Sequence, residues 1–348
     1  MKVARTFLSI GFALAVAACA TTSGLELSSR GRAQVEPGSV LKNVSTSPAL
    51  EERILALDPE RVADSDVRNV LAHGPTPRIM NIHGGIYPVH LVMESFAEFL
   101  IGMGYPEQRI RHPGDGRLSH SPYENSAQIA GLVAWHYEHD GMMPLIIGHS
   151  QGGIQAVKVL HELAGNYSGA VHVWDPYANR AEERTTIVDP YTGRERPVVG
   201  LKVRYASAVG SGGAALLLPN QWSMAVRLRT IPDSVEEFTG YTLAVDLVAW
   251  DLPGVGAVYK ADGTAKVRNV ELPAGYNHVT VASAAHLASD PEMRAWVNAF
   301  APGQVNGFPA TAASTENALW AGDVWYNVKK HWVLEAQRLI RARQQASQ

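Results

Sequence analysis

The chain has 348 residues, 30 lysines and arginines against 33 aspartates and glutamates, and a single cysteine. That length suits one large α/β domain with insertions, or two small domains, and 46% hydrophobic against 18% charged residues excludes global disorder. A formal net charge of −3 leaves no basic footprint for nucleic acid, and one cysteine excludes an intrachain disulfide framework or a multi-cysteine zinc site.

Lys2 and Arg5 precede an apolar run over residues 7–18, and Cys19 follows at once. A charged head, a short apolar core and small residues before a cut site describe a secretory signal peptide. The run is shorter than the ~20 residues a bilayer-spanning helix needs. Val16-Ala17-Ala18-Cys19 resembles the lipobox of bacterial lipoproteins. The resemblance implies a signal peptide over 1–18, lipidation of Cys19, and a membrane-tethered protein facing the periplasm of a cell envelope. Ala20 after the cysteine resembles outer-membrane sorting in enteric lipoproteins. Residues 19–47 read as a flexible tether, rich in Ser, Thr and Gly and punctuated by Pro37-Gly38. The folded domain is expected over 48–348.

From about residue 77 short apolar runs alternate with helical periods, which argues βα units around a mostly parallel sheet. Strands are expected at 78–82, 144–148, 170–174, 201–209, 241–250 and 266–272, with a short one at 109–111. Val92, Phe96, Phe99, Leu100 and Met103 share a helical face that stops at Gly104. Ser121-Pro122-Tyr123-Glu124 reads as a capping box with proline at the first helical position. A helix at 151–164 follows the 144–148 strand without a gap. The polar segment 176–199 and residues 214–240 read as excursions from the sheet, the second as a small helical cap. Asp290-Pro291 opens a further helix. In a last helix over 315–345, Trp320, Val324, Val328, Trp332, Ala336 and Leu339 form an apolar stripe. That stripe suits docking on the body, or, given Lys329, Lys330, Arg338, Arg341 and Arg343, a membrane-facing helix.

Gly148-His149-Ser150-Gln151-Gly152 is a G-x-S-x-G sequence placed where a buried strand ends and a helix begins. That is the setting a nucleophile elbow requires. The turn is tight enough that side chains two residues before and after the serine would collide, so glycines occupy both places. Gly153 eases close helix–strand packing. With these residues the chain resembles the α/β-hydrolase superfamily, over most of residues 77–300. The fold implied is a mostly parallel central sheet flanked by helices, with inserted excursions and an extra C-terminal helix. The 78–82 strand runs into His83-Gly84-Gly85-Ile86-Tyr87-Pro88, similar to the family's His-Gly loop that donates one oxyanion-hole amide. By position Gly85 supplies that amide, with Ile86 as its neighbour alternative, and Gln151 supplies the other.

In the resemblance the serine is followed in chain order by an acid and then a histidine. His278 follows the 266–272 strand after a loop of small residues, while His286 lies just before the Asp290-Pro291 cap. Asp251 closes the expected 241–250 strand and is the preferred acid. Asp175, ending the 170–174 strand, resembles the acid of pancreatic-type lipases. Asp246 falls in mid-strand, where it should be buried without a partner.

Other patterns carry less. Residues 210–215 match G-x-G-x-x-A, but Pro219 interrupts the helix a dinucleotide site needs. His136 and His139 lack a third metal ligand. The reading is a lipid-anchored serine hydrolase of carboxylic esters, using Ser150, His278 and Asp251, with Gln151 and Gly85 as the oxyanion hole and no cofactor or metal required. The apolar stretch 214–219 and Trp222 suit an acyl-binding wall. An acyltransferase or peptidase with the same triad, and an idle hydrolase-fold binding module, are the alternatives.

Overall fold

The structure is a computed structural model that describes residues 40–43, 46–167, 169–213, 219–249, 258–304, 307–311 and 313–347. Residues 1–39, with Cys19, lie outside the described residues, as do 214–218 and 250–257.

Five parallel strands form the central sheet in sequence order: β1 (Ile79–Ile82), β2 (Leu145–His149), β3 (Val203–Val209), β4 (Val235–Leu243) and β5 (Lys266–Leu272). Their apolar residues divide by the period of two that a pleated strand imposes. Ile79, Leu145, Ile147, Tyr205, Val209, Tyr241 and Leu243 face one core. Met80, Ile82, Ile146, Ala206, Ala208 and Phe238 face the other. Both faces are covered, as a parallel sheet requires. Helix α1 (Tyr87–Gly102) and the later helices pack on the first core, and α2 (Ser126–Asp140) and α3 (Gln151–Leu163) on the second. Because every strand runs the same way, every loop leaving a strand's C-terminal end emerges at one edge of the sheet, where open α/β sheets place ligand sites.

Helix α4 (Pro291–Ala299) begins at Asp290, whose carboxylate accepts from the Glu292 and Met293 N–H groups at 3.0 and 2.8 Å. Helix α5 (Ala318–Ala346) buries its stripe: Trp320, Val324, Val328 and Trp332 lie fully buried in the first core, and Ala336 and Leu339 are buried in two smaller clusters at the helix's far end. Docking on the body, not a membrane-facing role, accounts for the stripe. Among the described residues no helix is long and apolar enough to cross a membrane.

Several elements depart from the sequence reading. Residues 109–111 are no strand; a 3-10 turn spans Glu107–Arg109. The helix expected from Ser121 starts at Ser126 instead, capped by Asn125, whose side chain accepts from the Ala127 N–H at 2.9 Å. Glu124 makes only half of the capping box, accepting from the Ser121 N–H at 3.2 Å, and is drawn away by Arg117 at 2.9 Å and His120 at 3.3 Å. The 170–174 run stays out of the sheet: Trp174–Asp175 pairs antiparallel with Arg180–Ala181, and β3 takes the place beside β2. The fourth strand begins at Val235 and ends at Leu243, six residues earlier than expected at its start, inside what reads as an excursion. Glu236 and Glu237 are charges that a strand packed under a helix holds only when they are partnered. In the fold Arg204 and Arg338 meet the first, and Lys330 and His331 meet the second.

Candidate active site

The elbow is built as its glycines suggest. Ser150, at the cap position of α3, adopts φ 58° and ψ −128°. A non-glycine residue in such a conformation stores about 1–3 kcal/mol, which the surrounding structure must hold. The Ser150 N–H donates to Val209 O at 2.8 Å, fixing the turn to β3. A Cβ on Gly148 would lie 2.4 Å from Gly152 O, and one on Gly152 would lie 2.1 Å from Ile82 O. One on Gly153 would lie 1.9 Å from Ser211 Oγ and 2.9 Å from the Ala208 side chain. None of the three positions admits a side chain without moving backbone or the packed β3 end.

His278 follows β5 in a turn, and its Nε2 lies 2.8 Å from Ser150 Oγ. Its Nδ1 lies 2.7 Å from Asp246 Oδ2. With Nδ1–H donating to a carboxylate, Nε2 carries the lone pair and accepts from the serine hydroxyl. Asp246 is 1% exposed, and its second oxygen accepts from the Ala249 N–H at 2.8 Å. That carboxylate is therefore held at both oxygens and aimed at the imidazole. His278 is itself 5% exposed. The three side chains come from loops after β2, β4 and β5, at the same sheet edge. A hydroxyl bonded to an imidazole that is oriented by a buried carboxylate can lose its proton as it attacks a carbonyl.

The expected strand over 241–250 places Asp246 in its middle, away from the sheet edge. The strand ends at Leu243, so Asp246 stands three positions beyond it, on the edge where an orienting acid must be. Asp251 lies outside the described residues. The imidazole Nδ1 that an orienting acid would hold is occupied by Asp246. Asp175 turns its carboxylate on the Tyr177 and Ala178 N–H groups at 2.8 and 3.0 Å, in a hairpin outside the sheet. His286 is bound to Ser314 O at 3.1 Å. His136 is buried, and His139 stacks on Trp135 at 3.8 Å.

The His83-Gly84-Gly85 loop leaves β1 and lies against the elbow. A Cβ on Gly84 would fall 2.8 Å from the Ser150 side chain, and one on Gly85 would fall 2.0 Å from Gln151 Oε1. The Gly85 carbonyl accepts from the Tyr123 hydroxyl at 2.9 Å, which fixes the loop from outside. Burial lowers the His83 imidazole below its ordinary value. Gln151 is the first residue of α3, so its N–H has no partner within the helix. Ile86 is half exposed and precedes α1. The 112–124 segment braces this loop: His83 N–H donates to His120 O at 3.1 Å. Burial works against ionising Glu124 there, but the His120 hydrogen bond and charge, with the Ser121 N–H, bring its carboxyl down to about 2. Among the described residues no group of three His, Cys, Asp or Glu could hold a metal ion. Of the expected acyl wall, 214–218 lies outside the described residues, and Trp222 is exposed on the turn Pro219–Met224.

Gly210 belongs to the site, although its sequence context reads as a dinucleotide fingerprint. Its φ is +60°, and a Cβ there would stand 3.0 Å from His278 Nδ1 and 3.4 Å from Asp246 Oδ2. It leaves the space in which the imidazole and carboxylate meet. Gly210→Ala is expected to push the imidazole off Asp246 and to lower any turnover that depends on the pair about 10²-fold, the order a 1 Å misplacement of a reacting group costs. Steady-state kinetics on protein that melts cooperatively checks this; unchanged kcat would mean the dyad tolerates the methyl. Compared with known proteins, the chain matches no family model, and no curated protein shows a significant match to it.

Proposed function

We propose that this protein is a serine hydrolase of the α/β-hydrolase type, acting on carboxylic esters. The carrying observation is the relay Ser150–His278–Asp246, with contacts of 2.8 and 2.7 Å, on an elbow serine held at φ 58°. Ser150 attacks the ester carbonyl while His278 takes its proton and returns it to the leaving alcohol. Asp246 holds the imidazole tautomer and favours the imidazolium that forms. The acyl-enzyme is then hydrolysed by water through the same base. The Gln151 N–H at the start of α3 and the Gly85 N–H of the loop on the elbow are the donors for the oxyanion, each worth about 3 kcal/mol of barrier in such sites.

An apolar acyl group suits the neighbourhood. Ile86 and Tyr87, next to the glycine loop, are 53% and 71% exposed, and Val245 and Leu247, flanking Asp246, are 60% and 71% exposed. The test is labelling of the purified mature domain with a fluorophosphonate, followed by a panel of p-nitrophenyl esters of increasing chain length. Covalent labelling with turnover on the panel is expected. A folded protein that neither labels nor cleaves any ester sinks the reading.

The lipobox-like run at 16–19 supports a lipid anchor at Cys19 on the periplasmic side of an envelope. Cys19→Ser is expected to move the protein from the membrane to the soluble fraction. Persistent pelleting that only detergent releases would place the anchor elsewhere.

A further inference from the structure

One buried titratable group beside the relay has no part in the reaction as written. His149, the residue before Ser150, ends β2 and is fully buried. Its Nε2 lies 2.8 Å from the main-chain carbonyl of His278, and the two rings are 5.4 Å apart. A carbonyl only accepts, so Nε2 carries the proton. Nδ1 is then a bare acceptor, and it has no partner among the described residues.

That orphan nitrogen is informative. Leaving a buried acceptor unsatisfied costs about 1–3 kcal/mol. An apolar residue of similar size would fill the space without that cost. What distinguishes histidine here is the bond to His278. His278 lies beyond the end of β5, in a turn that follows Gly275 at φ +108°, so no sheet ladder holds its carbonyl. Its reactive nitrogen must nonetheless sit within hydrogen-bond reach of Ser150 while the other ring nitrogen keeps Asp246.

We propose that His149 is a positioning residue that ties the main chain of His278 to the residue preceding Ser150, setting the depth and register at which base meets nucleophile. The proposal rests on the serine-hydrolase reading. It explains why one strut joins positions so distant in sequence: the nucleophile's strand carries its own gauge for the base. Burial, and then the neighbouring His278 charge, push His149 down to about 3. It therefore stays neutral, adds no repulsion when His278 becomes cationic, and does not compete for the serine proton.

Two substitutions separate this role from packing. Gln carries its amide nitrogen the same number of bonds from Cα as the histidine Nε2, so His149→Gln can keep the donor. His149→Leu removes both the donor and the orphan acceptor. For His149→Leu, kcat on a p-nitrophenyl ester is expected to fall about 10²-fold, the cost of a misplaced catalytic group. KM should change less than about twofold and the melting temperature should not fall in proportion, because KM and stability do not depend on where the base stands. His149→Gln is expected to recover most of kcat. Should the leucine variant not fold, His149→Asn, whose amide is one bond short, takes its place against His149→Gln. A fully active leucine variant, or glutamine and asparagine variants impaired alike, overturns the proposal. Ser150→Ala distinguishes the two layers. If it is inactive while His149→Leu is fully active, only the positioning role fails; if Ser150→Ala turns over normally, the hydrolase reading and this proposal fall together.

Discussion

Replacing Ser150 with alanine is expected to lower kcat for carboxylic esters by about 10⁶-fold, the order seen when a triad serine is removed, and to abolish fluorophosphonate labelling. The expectation rests on Ser150 Oγ being the hydroxyl in contact with His278 Nε2, at 2.8 Å. Residual hydrolysis about 10³–10⁴-fold above water should survive through oxyanion donors and substrate binding alone. The fold should persist. The turn is fixed by the Ser150 N–H to Val209 O bond and by the glycines, none of which involves the hydroxyl. Circular dichroism and a melting curve close to wild type, together with lost turnover, are the expected pair. Undiminished turnover in the folded variant would remove Ser150 from the chemistry.

Asp246→Asn is expected to cost about 10⁴ in kcat with the geometry intact, because an amide can donate to Nδ1 and so favours the wrong imidazole tautomer. Asp246 is also the buried end of a chain of bonds: Ala249 N–H to one oxygen, His278 to the other. Losing its charge removes the partner of the transient imidazolium. Asp175→Asn provides the control. It alters a cap on the Tyr177 and Ala178 N–H groups in a hairpin apart from the sheet, so kcat should stay within about twofold of wild type. Asp251→Asn, measured alongside, should also turn over near wild type, because Nδ1 of His278 is already occupied. A large loss for Asp251→Asn with Asp246→Asn unaffected would exchange the two roles.

Local signals in the chain were sufficient for much of this. Gly148, Gly152 and Gly153 around a serine, between an apolar strand and an amphipathic helix, described the elbow because its constraint is steric and confined to a few adjacent residues. The strands at 79–82, 145–149, 203–209 and 266–272 were legible as apolar runs bounded by turn residues. The stripe on the last helix was legible as a period near four. His278 was legible from its place after a strand and a loop of small residues.

The rest depended on partners far along the chain. The start of the fourth strand was hidden by Glu236 and Glu237, charges that belong in a strand only once Arg204, Arg338, Lys330 and His331 come to meet them. Misplacing that strand put Asp246 in its middle and made Asp251 its end. The 170–174 run had the composition of a sheet strand, yet β3 took the position beside β2. Which strand wins a neighbour is a competition between distant segments, invisible in either one. His149 and Gly210 are the same case at atomic scale. One reads as a variable motif position and the other as part of a glycine fingerprint, until folding brings the His278 carbonyl and imidazole against them. The sequence by itself determined the elbow and the alternation of strands and helices, because backbone sterics and hydrophobic period act over a few residues. Only the tertiary structure decided which carboxylate meets His278, that His149 reaches the His278 carbonyl, and that Gly210 leaves room beside them, because each is a contact between segments separated by a whole strand or more of chain.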